Sequence, residues 1–450
     1  VCSPPDEGET MPFEESKTRH ASLREEVVEL ARELIRLDTV NPPGNEARAA
    51  DLLRAYLEDA GVACEVYAKT KERANLVARI PGANAGKRLL LLSHTDTVLA
   101  EPAEWTVDPW SGDLRDGEVW GRGALDMKGQ VAAAAVAVAA LAREGFVPTG
   151  DLIFAATADE EVGTSDFGLS WLVREHPEAV RAEYCVNEGG GDRIVVDGRA
   201  FYLCDVAEKR SAPFVLRVQG RSGHASLPAA SENALVRASR LIERLAAFRD
   251  EPRLLPETEA LMTALVGDAR PADALAHVRE RGPEIAAIVE PMLALTVSPT
   301  MIEASRKRNV VPGLCEVTCD CRLLPGQGRR EAEEALRRCL GDDGYEIVWI
   351  ESVGGSRSSP YTPLWAALAS WVAREEPGAE VLPIVLPGFT DSHYLREAFG
   401  TIAYGFFPAR AMPAALASRL VHSADERIPI DDLELGTRFL RDLARTLLSA

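Results

Sequence analysis

Apolar positions recur with a helical period of about 3.6 residues through SLREEVVELARELIRL, and Ser22 stands where a helix cap belongs. The turn VNPPGNE ends this helix, and EARAADLLRAYLEDAG predicts a second that stops at Gly61. The pattern then alternates. ACEVYAK and NLVARIPG read as half-buried strands, whereas RLLLLS and DLIFAATA are continuous apolar runs suited to strands buried on both faces. Between those two lies an Ala-rich helix, MKGQVAAAAVAVAALAREG, ending at Gly145. GLSWLVREHP predicts another helix, and AEYCVNEGG a strand and its turn. Strands alternating with helices predict an α/β fold with a mainly parallel sheet.

The order changes at Pro213. PFVLRVQG (strand), ENALVRASRLIERLAAF (helix), TMIEAS and CEVTCDCRLLPG (strands), REAEEALRRCLG (helix) and YEIVWIES (strand) spell β-α-β-β-α-β. That is the ferredoxin-like split βαβ unit with an antiparallel sheet. A helical, acidic, Pro-punctuated segment at 250–295 lengthens its first crossover. After Gly354 and Gly355, a helix in LWAALASWVAREEPG, the strands EVLPIVLP and IAYGFFP, and a final helix in ELGTRFLRDLARTLL return to the first pattern. The expected organisation is a mobile acidic tail over 1–20, a catalytic domain over 21–212 and 354–450, and an inserted domain over 213–353.

Composition narrows the function. A net charge of −20 argues against a nucleic-acid partner, because phosphate binding wants a basic surface. No apolar run approaches the roughly 18–20 residues that span a bilayer, so no membrane partner is expected. The acidic start lacks a secretory pattern. Eight cysteines in 450 residues are too sparse for a disulfide scaffold. Cys315, Cys319 and Cys321 share one face of a strand and should pack as small apolar groups, so a cytoplasmic location is expected.

Five turns carry candidate chemistry. His94 and Asp96 stand beyond RLLLLS, at the strand end where α/β sheets bind ligands. Asp96 could accept the second ring N–H of His94 and fix its tautomer; a structural His–Asp pair is the alternative. Asp126, after GRGAL, could cap the Ala-rich helix or bridge two cations. Glu160 and Glu161 end DLIFAATA and point in different directions, so one could bind metal while its neighbour serves as a general base. Glu188 precedes three glycines, and His422 lies in VHSADERI before the last helix. Each turn alone also reads as a solvated loop. Five at matching topological positions point to a divalent metal centre of imidazole and carboxylate, a donor set that suits zinc.

With these motifs the chain resembles the dizinc amidohydrolase and peptidase family of aminoacylase, glutamate carboxypeptidase, acetylornithine deacetylase and succinyl-diaminopimelate desuccinylase. The resemblance runs from about residue 22 to the end. It implies two Zn2+ ions, with Co2+ or Mn2+ as substitutes, one held by His94, Glu188 and Asp126, the other by Glu161, His422 and the same Asp126. It makes Glu160 the general base and gives Asp96 a supporting catalytic role. It further implies that His224, in GRSGHAS, serves the partner subunit's site, and that Asn309 in NVVP, Arg322 in DCR and Gly388 in PGFTDSHYL bind substrate. His393 is left to the core or to a supporting role. The expected protein is a lid-mediated homodimer that cleaves the amide bond of a small N-acyl amino acid. A dipeptidase or carboxypeptidase is the nearest alternative, and an idle metal-bearing binding protein or a regulatory scaffold the more distant ones.

Overall fold

The computed structural model describes residues 22–162, 166–267, 271–341 and 344–449. The expected tail over 1–20 lies outside them. A nine-stranded sheet forms the larger layer. Its centre is parallel: Leu152–Thr157, Leu89–His94, Tyr184–Asn187 and Ile402–Gly405 lie side by side in that order. Both flanks reverse direction. Arg73–Ile80 runs antiparallel to Leu152–Thr157, and Arg199–Glu208 antiparallel to Ile402–Gly405. The fold is therefore mixed α/β with a mostly parallel central sheet.

Leu89–His94 and Leu152–Thr157 are buried along their whole length, which is why they read as unbroken apolar runs. The Ala-rich helix, Lys128–Arg143, packs over them with 14 residues buried. Its small side chains let Leu23–Ile35 and Ile430–Leu448 close against it, and these two helices also pack on each other. Ser22 caps the first of these helices as expected, and Glu25 completes a capping box with it.

A second sheet has its own core. Its strands pair in the order Tyr345–Trp349, Phe214–Gln219, Leu314–Leu323, Thr296–Glu303, every neighbour antiparallel. Cys315, Cys319 and Cys321 face this core as free thiols, with Asp320 and Arg322 on the other face. Helices from residues 234–246 and 329–340 cover the apolar side.

The segment 250–295 folds into the helices Pro256–Val266, Pro271–Glu280 and Pro283–Leu293. Its apolar side leaves the second sheet and packs on Phe201, Leu203, Leu382 and Ile384 of the central one. Lys209 pins the end of the segment by donating to the carbonyls of Pro291 and Ala294 and to Thr296 Oγ1. Among the described residues, no helix is long and apolar enough to cross a membrane.

Candidate metal centre

The parallel strands end on one edge of the sheet, and backbone direction alone delivers three of the five turns there. His94 closes its strand; Glu160 and Glu161 follow the strand ending at Thr157; Glu188 follows Asn187. Glycines 189, 190 and 191 all have positive φ and lie against backbone or carboxylate atoms that a Cβ would strike. That close approach keeps the Glu188 turn flat on the sheet edge.

Asp126 and His422 arrive from outside the sheet. The strand Glu118–Trp120 leads into the turn before Asp126, and it pairs antiparallel with Arg427–Pro429, which follows His422. Two turns far apart in sequence are thereby clamped together. His422 sits at φ 60°, a left-handed conformation that costs a non-glycine residue roughly 1–3 kcal/mol and persists only where its surroundings enforce it. The helix after Asp126 opens at Lys128 with no side-chain capping bond, so Asp126 does not serve as its cap.

The two oxygens of Asp126 face two different imidazoles. Oδ1 lies 3.1 Å from His94 Nε2, and Oδ2 lies 3.0 Å from His422 Nε2. Glu188 Oε2 is 3.4 Å from the same His94 nitrogen, and Glu161 Oε2 is 3.2 Å from that of His422. Donors about 2.0–2.2 Å from a tetrahedral zinc stand roughly 3.3–3.6 Å apart, close to these separations. Glu160 joins the group, its carboxylate within 4.8 Å of donor atoms on His94 and Glu188.

The electrostatics call for cations. Burial, with Glu188 beside it, pushes the Glu160 carboxyl well above its usual range. Burial also raises Glu161 to about 7, against the pull of His422. Asp126 moves the other way: burial opposes its charge, yet His422 and His94 hold it below the usual carboxylate range. Asp126 and then Glu161 push His422 up to about 10. Glu161 Oε1 and Glu188 Oε1 are buried without a hydrogen-bond partner among the described residues. Two imidazoles, a carboxylate that faces both, and two orphaned acceptors fit a pair of divalent ions.

Asp96 lies behind this shell, fully buried. The ring Nδ1 of His94 lies 3.1 Å from the Asp96 backbone carbonyl and 3.5 Å from its carboxylate. That carboxylate instead accepts the N–H groups of Glu160 and Glu161 and the amide of Asn41. Asp96 thus shapes the glutamate turn as much as it orients the histidine.

A cavity of about 380 Å³ opens on the cluster, and its wall includes Asp126, Glu160, Glu161, Glu188, Gly388 and His422. His224, Asn309 and Arg322 stand outside that wall. His224 is exposed, its Nδ1 against Ser226. Asn309 is exposed too, and its carbonyl accepts the Ala225 N–H. Arg322 pairs with Asp320, and its guanidinium lies 5.8 Å from the ring of Phe389, which does line the cavity. His393 is buried and donates to the Thr390 carbonyl, while burial holds its imidazole down to about 4. It is a neutral core group.

Two acids beside the site carried no separate signal in the sequence. Asp391, in PGFTDSHYL, is buried and pushed up to about 8 by that burial and by Glu188 and Asp96, with His94 opposing. Glu426, in VHSADERI, is fully buried. One of its oxygens accepts the Leu125 and Asp126 N–H groups; the other accepts the Gly123 N–H and pairs with buried Arg122 at 2.6 Å. It moulds the loop that presents Asp126. Glu426→Ala strands Arg122 in the interior, so unfolding in denaturant should show a loss of about 3–5 kcal/mol; an unchanged midpoint would remove that role.

The sequence profile described as "Peptidase family M20/M25/M40" matches residues 90–446. A succinyl-diaminopimelate desuccinylase of Cereibacter sphaeroides is 26% identical over 422 residues, covering 92% of this chain and 97% of that protein. Aminoacylase-1 of Sus scrofa is 28% identical over 411 residues, covering 89% and 90%. An M20 family metallo-carboxypeptidase from Sulfolobus solfataricus shares the fold, with a TM-score of 0.71 at 20% identity over 94% of this chain and 99% of that one. With its profile matched across most of its length, the chain belongs to peptidase family M20/M25/M40 and is a metal-dependent hydrolase of C–N bonds.

Proposed function

We propose that this protein cleaves the amide bond of a small, carboxylate-bearing N-acyl amino acid, with two zinc ions, or Co2+ or Mn2+ in their place, as its resident metals. His94, Glu188 and Asp126 would hold one ion, and Glu161, His422 and Asp126 the other. The observation that carries this reading is Asp126, one oxygen at 3.1 Å from His94 and the other at 3.0 Å from His422. Metal bound there supplies Lewis acidity, acidifying a water and polarising the scissile carbonyl.

The chain's own groups do the rest. Glu160 faces the cluster without belonging to either ligand triad, so its carboxylate takes the water proton and returns it to the leaving nitrogen. Asp96 keeps that carboxylate in place through the backbone N–H of Glu160. Gly388 in the cavity wall leaves room for backbone to meet the substrate, and Arg322 behind Phe389 suits its carboxylate. A dipeptide or C-terminal peptide bond is the second substrate class, because the same water attack serves it. The test is metal analysis followed by a screen of N-acyl amino acids and dipeptides on the metal-replete protein. Absence of bound divalent metal, or of any amide hydrolysis, would end this reading.

The residues from 213 to 353 form the lid in this proposal, and two copies join through it as a homodimer in the cytoplasm. Met301 and Ile302 are exposed on the edge strand of the second sheet, and Leu235 and Val236 on its helix, an apolar surface that suits self-association. His224 would then reach the partner's oxyanion. His224→Ala should keep its metals and turn over slowly, and mixing it with Glu160→Gln should restore part of the activity. Freely exchanging heterodimers without rescue would exclude a shared site.

A further inference from the structure

A second cavity, of about 660 Å³, adjoins the metal centre and plays no part in the chemistry above. Gly189, Gly190, Asp192 and Leu386 line both cavities, so the two meet directly beyond Glu188. One wall comes from the central sheet through Leu203 and Ile384. The opposite wall is the helix Pro283–Leu293, through Ala287, Ile288 and Met292. The 250–295 segment therefore builds this chamber by packing on the sheet.

Glu284, Ser418 and Arg419 also line the chamber but are exposed to solvent, and Asp192 is half-buried; among the buried lining residues, one does not match its apolar neighbours. Asp205 lines the chamber from the middle of the strand Arg199–Glu208, is 4% exposed, and among the described residues no side chain donates to its carboxylate, the nearby backbone donor being the Gly190 N–H. The nearby cation Arg396 is committed elsewhere, to Glu208, Ser356, Ser358 and the Ala403 carbonyl. One N–H leaves most of a carboxylate's acceptor sites unmet, and a buried unmet acceptor costs about 1–3 kcal/mol, more when charged, so its retention points to a partner. Asp192, at the junction, adds a second carboxylate to the same space. With Glu284 exposed and no imidazole or thiolate in the lining, Asp205 and Asp192 lack the donor set of a tetrahedral metal site. They suit an organic cation on an aliphatic chain.

We propose that this chamber is a substrate subsite in which Asp205, with Asp192, binds a primary ammonium group while the apolar walls hold the aliphatic chain that bears it. The inference rests on the hydrolase reading and narrows it to amide substrates with an amine-bearing arm. It also gives the 250–295 segment a role as the wall that sets which arm fits.

The test pairs a ladder of ω-aminoacyl leucines of increasing chain length with the unsubstituted acyl leucines, on the zinc-replete protein. The best amine-bearing substrate should exceed its neutral counterpart in kcat/KM by about tenfold or more, the value of one charge-assisted bond. In Asp205→Asn that ratio should fall to near one, chiefly through KM. Zinc content and circular dichroism establish that the variant is folded; if it is not, Asp192→Asn carries the same comparison. Calorimetric titration with n-hexylamine against n-hexanol reads the subsite without turnover. Neutral substrates cleaved as well as amines, or a ratio unchanged in the folded variant, overturns the inference and leaves the hydrolase reading standing. If neither series is cleaved, the N-acyl amino acid reading falls, and the titration decides the subsite alone: hexylamine bound by the wild type and lost in Asp205→Asn supports it, and equal binding removes it.

Discussion

Glu160→Gln should retain its full complement of metal and lose at least about 10²-fold in kcat. Glutamine preserves the volume and one acceptor oxygen of the side chain but cannot carry a proton. The turn around it is held through backbone, by the Glu160 and Glu161 N–H groups on Asp96, so the substitution should leave the fold undisturbed. Elemental analysis alongside turnover makes the experiment two-sided. Glu160 lies close enough to His94 and Glu188 to act as a third ligand with them. If that were its role, metal would fall with activity; if it were a bystander, activity would survive. Only retained metal with lost turnover fits a base.

Asp126→Ala should lose metal as well as activity, and by more than the roughly 10–100-fold in affinity that removal of an outer partner costs. Each of its oxygens lies against a different histidine, so its removal damages both halves of the centre at once. His94 keeps Glu188, and His422 keeps Glu161, each a pair rather than a triad. The imidazole of His422, raised to about 10 chiefly by Asp126, should titrate closer to its ordinary range in the metal-free variant, a shift visible by NMR. Full metal occupancy in the purified variant would refute the bridging assignment.

Much of this centre is legible without coordinates because its architecture is local. His94, Glu160 and Glu161 end continuous apolar runs and Glu188 ends a short strand, and buried parallel strands put their carboxyl ends on one edge whatever surrounds them. The Ala-rich helix is equally plain. The ten-residue strand Arg199–Glu208 is harder to read: nearly all of it is buried, Asp205 and Glu208 interrupt its apolar pattern, and alternation disappears when both faces are covered. The carboxylate of Asp96 is another such case, since the backbone beyond His94 carries it toward the glutamate turn rather than squarely onto the ring.

Sequence by itself determined most of the element types, though not the strand Arg199–Glu208, and the five turns and their kinds of donor, because hydrophobic period and residue chemistry are properties of short stretches. Only tertiary structure decided that Glu426 braces Gly123 from 303 positions away, that the 250–295 helices close a chamber on the central sheet, and that Asp205 ends up buried in its wall. The physical reason is one of range. Local pattern reports which faces are covered, whereas the identity of what covers them depends on packing between segments whose separation along the chain leaves no periodic trace.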